Sequence, residues 1–110
     1  MTKVTFHSSR AREGFRGFTA EGHAGATEEG EYDLVCCAVS VLTVTAANAL
    51  ERVAGVRPVE AEGDGLVTCF LPDGVEDGDW HTAQIIFRTM ECGLESIAAE
   101  YPEQLRIERK

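Results

Sequence analysis

Apolar and polar residues alternate in the first part of the chain and then change to helical spacing. The segment KVTFHS alternates Val4 and Phe6 with polar residues, which predicts a half-buried strand, and GFRGFTAEG predicts a second strand. From Asp33 to about Ala54, apolar residues recur at steps of three and four, which predicts a helix that ends at Gly55. The apolar positions of this helix are Val35, Val39, Leu42, Ala46, Leu50 and Val53.

The second half of the chain repeats this change of pattern. RPVEAEGDGLVTCFLP predicts a hairpin, because EGDG supplies turn residues that tolerate positive φ. A second helix opens at DGDW and ends at Pro102, and QLRIER predicts a last short strand. The apolar stripe of the second helix is Trp80, Ala83, Phe87, Met90, Leu94, Ile97 and Tyr101. The order β-β-α-β-β-α-β predicts an α+β fold, a two-layer α/β sandwich with both helices packed on one mixed sheet.

Length and charge narrow the function. We expect residues 1–110 to form a single domain, because 110 residues suffice for one core and not for two. The net charge of -9, from 19 acidic and 10 basic residues, disfavours direct binding of nucleic acid and suits a basic protein or peptide partner. The uncharged run from Leu34 to Leu50 contains four polar residues and is expected to be too short to span a bilayer. With no apolar leader at the N-terminus, we expect a cytoplasmic protein with no membrane contact.

The four cysteines show no CxxC pair and no paired ligand spacing, which predicts no metal site and no cofactor. Cys69 alternates with apolar residues on a strand, so core packing is expected there, and Cys92 lies next to Gly93 in the second helix. His7 and His81 are expected at solvated surface positions.

Helical geometry separates the adjacent thiols Cys36 and Cys37, because consecutive residues point about 100° apart. Cys37 falls on an aliphatic row with Val41 and Val44, so we expect it to be buried and inert. Cys36 falls on a row of small, partly polar residues, which leaves open space beside its thiol; these residues are Ser40, Thr43 and Ala47.

A nucleophile needs a base, and His23 in the glycine-flanked turn EGHAG is the natural partner of Cys36. If Asp33 caps the helix, Cys36 lies in its first turn, where unpaired N–H groups and the helix dipole favour a thiolate. The Asp33 carboxylate opposes that effect, so activation is expected to depend on the imidazole. On these residues alone, a chance pairing of one histidine with one cysteine stays open.

The stretches GHAG…G…DLVCCAVSVL and LESIAAEYPEQLRI resemble the ribosomal-processing cysteine protease family (Prp) of bacteria over essentially the whole chain. The resemblance implies a small cysteine endopeptidase, commonly a homodimer, that removes the N-terminal extension of a large-subunit ribosomal protein through a thioester. It implies Cys36 as nucleophile and His23 as base, with Asp33 and Ser40 at further positions of the site. The chain departs from the family pattern at Cys37, where alanine is usual, and in a slightly longer segment between His23 and Cys36.

The segment between these two residues is polar and bounded by glycines, which predicts a substrate loop that is poorly ordered without substrate. Its acidic residues would favour a basic substrate, although solvation explains them equally well. The residues expected to form this loop are Gly22, Gly25, Glu28, Glu29, Gly30 and Glu31.

Three further hypotheses follow from the same residues. The chain could be a non-catalytic peptide- or ribosome-binding module of the same fold, or a redox sensor that uses its vicinal thiols. The first helix is apolar on more than one face, which predicts a symmetric dimer that covers part of it.

Overall fold

A computed structural model describes residues 1–22 and 34–110, and within them the predicted order of elements is confirmed. The strands and helices are β1 (Thr2–Ser8), β2 (Phe15–Glu21), α1 (Leu34–Arg52), β3 (Val59–Gly63), β4 (Leu66–Phe70), α2 (Asp77–Glu100) and β5 (Leu105–Arg109). The strands form one mixed sheet in the order β3-β4-β2-β1-β5, in which only the β1–β5 pair is parallel. The fold is therefore α+β, as predicted.

The core lies between the sheet and the two helices, and strand alternation explains its sheet side. Val4, Phe6 and Phe18 are fully buried, and the register places Phe6 directly opposite Phe18. The Phe18 ring meets Phe87 of α2 edge-on, with ring centroids 6.2 Å apart. The helices complete the cluster with Val35, Val39, Ala46 and Leu50 from α1 and Ala83, Phe87, Met90 and Leu94 from α2.

The predicted hairpin is present, and its turn has the expected backbone. Asp64 and Gly65 have φ values of 49° and 76°, so both occupy the left-handed region, as a two-residue type I′ turn requires. Gly55, with φ 70°, follows the end of α1 and allows the chain to reverse. These two turns place the β3–β4 hairpin beside α1.

The helical stripes differ from prediction at their last residues. Val53 is 68% exposed and Tyr101 is 40% exposed. Both residues lie just beyond their helices, because α1 ends at Arg52 and α2 ends at Glu100. By length and composition α1 could cross a membrane, so the expectation that this stretch is too short is wrong. Its apolar residues nevertheless have a place in this fold, because one face of α1 packs in the core.

Candidate active site

The Cys36 row of α1 faces open space, as its small side chains predict. Cys36, Ser40 and Thr43 line a cavity of about 300 Å³ between α1, the end of β2 and the turn of the β3–β4 hairpin. The Thr43 hydroxyl donates a hydrogen bond to the Ser40 carbonyl oxygen at 3.1 Å, and Ser40 itself is exposed. A polypeptide could therefore approach the Cys36 thiol from this side of the helix.

Cys36 is half-buried and is the third residue of α1. Its side chain packs against the main core cluster on one side and lines the cavity on the other. The first turn of a helix holds N–H groups without intrahelical partners, and together with the helix dipole they favour negative charge. The Cys36 side chain thus lies in the first turn of α1 and is reached from the cavity.

Gly22 lines the same cavity from the end of β2. Its N–H donates a hydrogen bond to the Gly65 carbonyl oxygen at 3.0 Å, which ties β2 to the hairpin turn. Its φ is 81°, and a Cβ here would collide with the Met1 carbonyl oxygen, so glycine is required on both grounds. The chain therefore leaves β2 at the rim of the cavity that contains Cys36.

Cys37 is exposed, so the prediction that it is buried in this chain is wrong. Its row does not face the core: Val41 and Val44 are each 58% exposed and Leu34 is 61% exposed. The spacing of apolar residues correctly grouped Cys37 with Val41 and Val44. However, α1 has two apolar faces, and only the face without Cys37 packs in the core. We call these four residues, Leu34, Cys37, Val41 and Val44, the outer row of α1.

The other thiols and histidines differ from Cys36 in their surroundings. Cys69 is buried, as predicted, and burial together with the Glu60 charge raises the pKa of its thiol to about 12. Cys92 is exposed on α2, and His81 is exposed as expected. His7 is half-buried rather than fully solvated, because its ring packs beside Phe70 and hydrogen-bonds to the Thr19 hydroxyl at 3.1 Å.

Several residues predicted for the site lie outside the described part of the chain. They are His23, Asp33, Gly25, Glu28, Glu29, Gly30 and Glu31. Of the predicted site residues that the structure describes, Cys36, Ser40 and Gly22 come together at one cavity.

The sequence reasoning missed the contribution of β1 and of the hairpin. Thr2 lines the cavity beside Cys36, and so do Glu62 and Asp64, although the EGDG segment was assigned only a turn. The available signal was the pair of glutamates in VEAEG, which share one face of a strand because side chains alternate. Within residues 1–22 and 34–110, no three histidine, cysteine or acidic side chains are grouped to hold a metal ion.

Comparison with known proteins gives consistent matches over the whole chain. The family model described as Cysteine protease Prp matches residues 1–106. The ribosomal processing cysteine protease Prp of Bacillus subtilis is 30% identical over 109 residues, which cover 97% of this chain and 96% of the relative.

Solved structures also match the fold over the full length of the chain. An essential ribosomal processing protease Prp from S. aureus, in complex with a covalently linked product peptide, superposes with a TM-score of 0.84 at 28% identity. The S. aureus protease in complex with a substrate peptide gives a TM-score of 0.81 at 26% identity. Each match covers 100% of both chains.

Proposed function

We propose that Cys36 and His23 form the catalytic dyad of this chain. The chain belongs to the Cysteine protease Prp family and is a cysteine endopeptidase. The observation that carries the proposal is the cavity shared by Cys36 and Gly22, because His23 is the next residue of the chain after Gly22. Gly22, which precedes the segment from 23 to 33, and Cys36, which follows it, thus line the same cavity. Asp33 and Ser40 support the dyad, and Gly25, Glu28, Glu29, Gly30 and Glu31 belong to the substrate loop.

The reaction follows from the properties of these groups. The His23 imidazole takes the proton of the Cys36 thiol, and the thiolate attacks the carbonyl carbon of the scissile peptide bond. N–H groups in the first turn of α1 stabilise the oxyanion. The carbon–nitrogen bond breaks, the amine leaves with the proton held by the imidazolium, and a thioester forms on Cys36. Water activated by His23 then hydrolyses the thioester, which releases the acid and regenerates the thiol.

The substrate is proposed to be the N-terminal extension of a large-subunit ribosomal protein. The support is the B. subtilis relative, which is a ribosomal processing protease, and the S. aureus relative with its substrate and product peptides. Ribosomal proteins are basic as a class, which suits a chain with net charge -9. Such a substrate places the reaction in the cytoplasm and needs no nucleic acid, membrane or cofactor.

The outer row of α1 is the proposed interface of a homodimer. Leu34, Val41 and Val44 are each more than half exposed, and Cys37 lies between them on the same side of the helix. One contiguous apolar row on a helix typically packs against a second surface. In a symmetric dimer this row meets its own copy, and the Cys36 row is rotated away from it. The two surfaces adjoin at Val44, which also lines the space between α1 and the β3–β4 hairpin.

The test uses the precursor of the host's large-subunit ribosomal protein as substrate. Its cleavage by the wild type, by Cys36→Ser and by His23→Gln is compared, and mass spectrometry detects the products. Cys36→Ser is expected to lower kcat/KM by at least about a thousandfold, because an unactivated hydroxyl is a much poorer nucleophile. Cys92→Ala is the matched control and keeps full activity. Cleavage by Cys36→Ser would refute the assignment, and binding by the wild type without cleavage would favour the non-catalytic module.

A further inference from the structure

The cavity beside Cys36 continues along α1 as a groove. A second cavity, of about 340 Å³, lies between α1 and the β3–β4 hairpin. It shares Ser40, Thr43, Glu62 and Val67 with the first cavity and extends as far as Ala47 and Asn48. From Cys36 to Ala47 the helix rises about 16 Å, which matches about five residues of extended peptide. We call the two joined cavities the hairpin groove.

One wall of the hairpin groove is acidic. Glu60 and Glu62 of β3 lie opposite Cys69 and Val67 of β4, so both point to the side of the sheet that faces α1. The Glu60 charge reaches the floor of the groove, since it adds to the effect of burial in raising the pKa of the Cys69 thiol. Neither glutamate forms an ion pair with any residue in 1–22 or 34–110.

We propose that the hairpin groove binds the substrate polypeptide in extended form, with Glu60 and Glu62 as a subsite for a lysine or arginine side chain. The inference rests on the proposed function and adds to it a position for selectivity. The basic side chain lies within about five residues of the scissile bond, on the side that occupies the groove. A cation there relieves the repulsion between two like charges that share one strand face.

The selectivity is tested with peptides that span the junction between extension and mature ribosomal protein. A parent peptide without lysine or arginine is compared with peptides that carry one lysine at each of five positions on either side of the junction. For the wild type, lysine at one or two neighbouring positions raises kcat/KM about three- to tenfold, the range for partly solvated charge pairs. Glu60→Gln with Glu62→Gln abolishes this preference, while Glu103→Gln, an exposed control outside the groove, retains it.

The outcomes separate this inference from the proposed function. Cleavage with no lysine preference at any position, or a preference that persists without Glu60 and Glu62, overturns the inference and leaves the protease assignment intact. If the wild type cleaves none of the peptides and Cys36→Ser binds none of them, the proposed function fails and the inference fails with it.

Discussion

At the scale of single residues, substitutions of the two adjacent cysteines are predicted to have opposite effects on activity. Cys37 is exposed and lies outside the cavity, so Cys37→Ala should keep full activity and change the free energy of unfolding by about 0.5 kcal/mol or less. Kinetic assays and chemical denaturation measure both quantities. Loss of activity in Cys37→Ala, with Cys36→Ser still active, would show that the nucleophile is misassigned.

His7 makes stability depend on pH. Burial, followed by the charges of Arg16 and Lys110, lowers its pKa in the folded chain below the ordinary value of 6.5. The unfolded chain then binds more protons as pH falls below 6.5, so the folded state loses stability in that direction. His7→Gln keeps a hydrogen-bonding side chain near Thr19 and removes the titration. Between pH 7 and pH 5, wild type should lose more stability than this variant in urea denaturation. Equal losses would contradict the lowered pKa.

At the scale of elements, one glycine decides how closely two strands pair. Gly17 of β2 lies opposite Phe70 of β4, and a Cβ at this position would come within 2.8 Å of the Phe70 Cα. Backbone cannot yield as a flexible side chain can, so Gly17→Ala should lower the free energy of unfolding by about 1–3 kcal/mol. Thermal denaturation provides the measurement.

The control for this change is Gly63→Ala in the same sheet. A Cβ at Gly63 meets no atom of the described residues within 4 Å, so this variant should be as stable as wild type or slightly more stable. If both variants behave alike, tight β2–β4 contact is not what requires glycine at position 17.

At the scale of the whole molecule, the outer row of α1 predicts the oligomeric state. Val41→Glu places a charge in the middle of the proposed interface and should convert a dimer into a monomer at micromolar concentration. Sedimentation of wild type and variant measures the change. Val53→Glu is the matched control, because Val53 is equally apolar and 68% exposed but lies beyond the end of α1. A monomeric wild type would refute the proposed interface.

Much of this molecule could be predicted from its sequence because local patterns carry the information. Period-two alternation located β1 and β2, and turn chemistry located Asp64 and Gly65 in the hairpin. The small row of Cys36 correctly predicted an open side of α1. The sequence could not tell which of two apolar rows packs in the core, because composition is the same for a buried face and for an interface. Cys37 was misplaced for that reason.

The groove beyond Cys36 was unpredictable for a different reason. It requires knowing that β3 and β4 lie at one end of the sheet order and that their inner face stands beside α1. Such placement depends on contacts between residues far apart in the chain, which pattern and spacing do not encode. Thr2 illustrates the point, since a threonine at the start of a strand gives no sign that it reaches a cavity formed largely by other elements.

The position of β3 at the end of the sheet has a consequence for solubility. All five of its residues are exposed, and its outer edge has N–H and carbonyl groups with which a strand of another molecule can pair. Charged side chains on such an edge discourage pairing between molecules. We therefore expect Glu60 and Glu62 also to reduce aggregation through this edge. Neutralising them, by substitution or by acid, should promote precipitation through strand-to-strand association even where the fold survives.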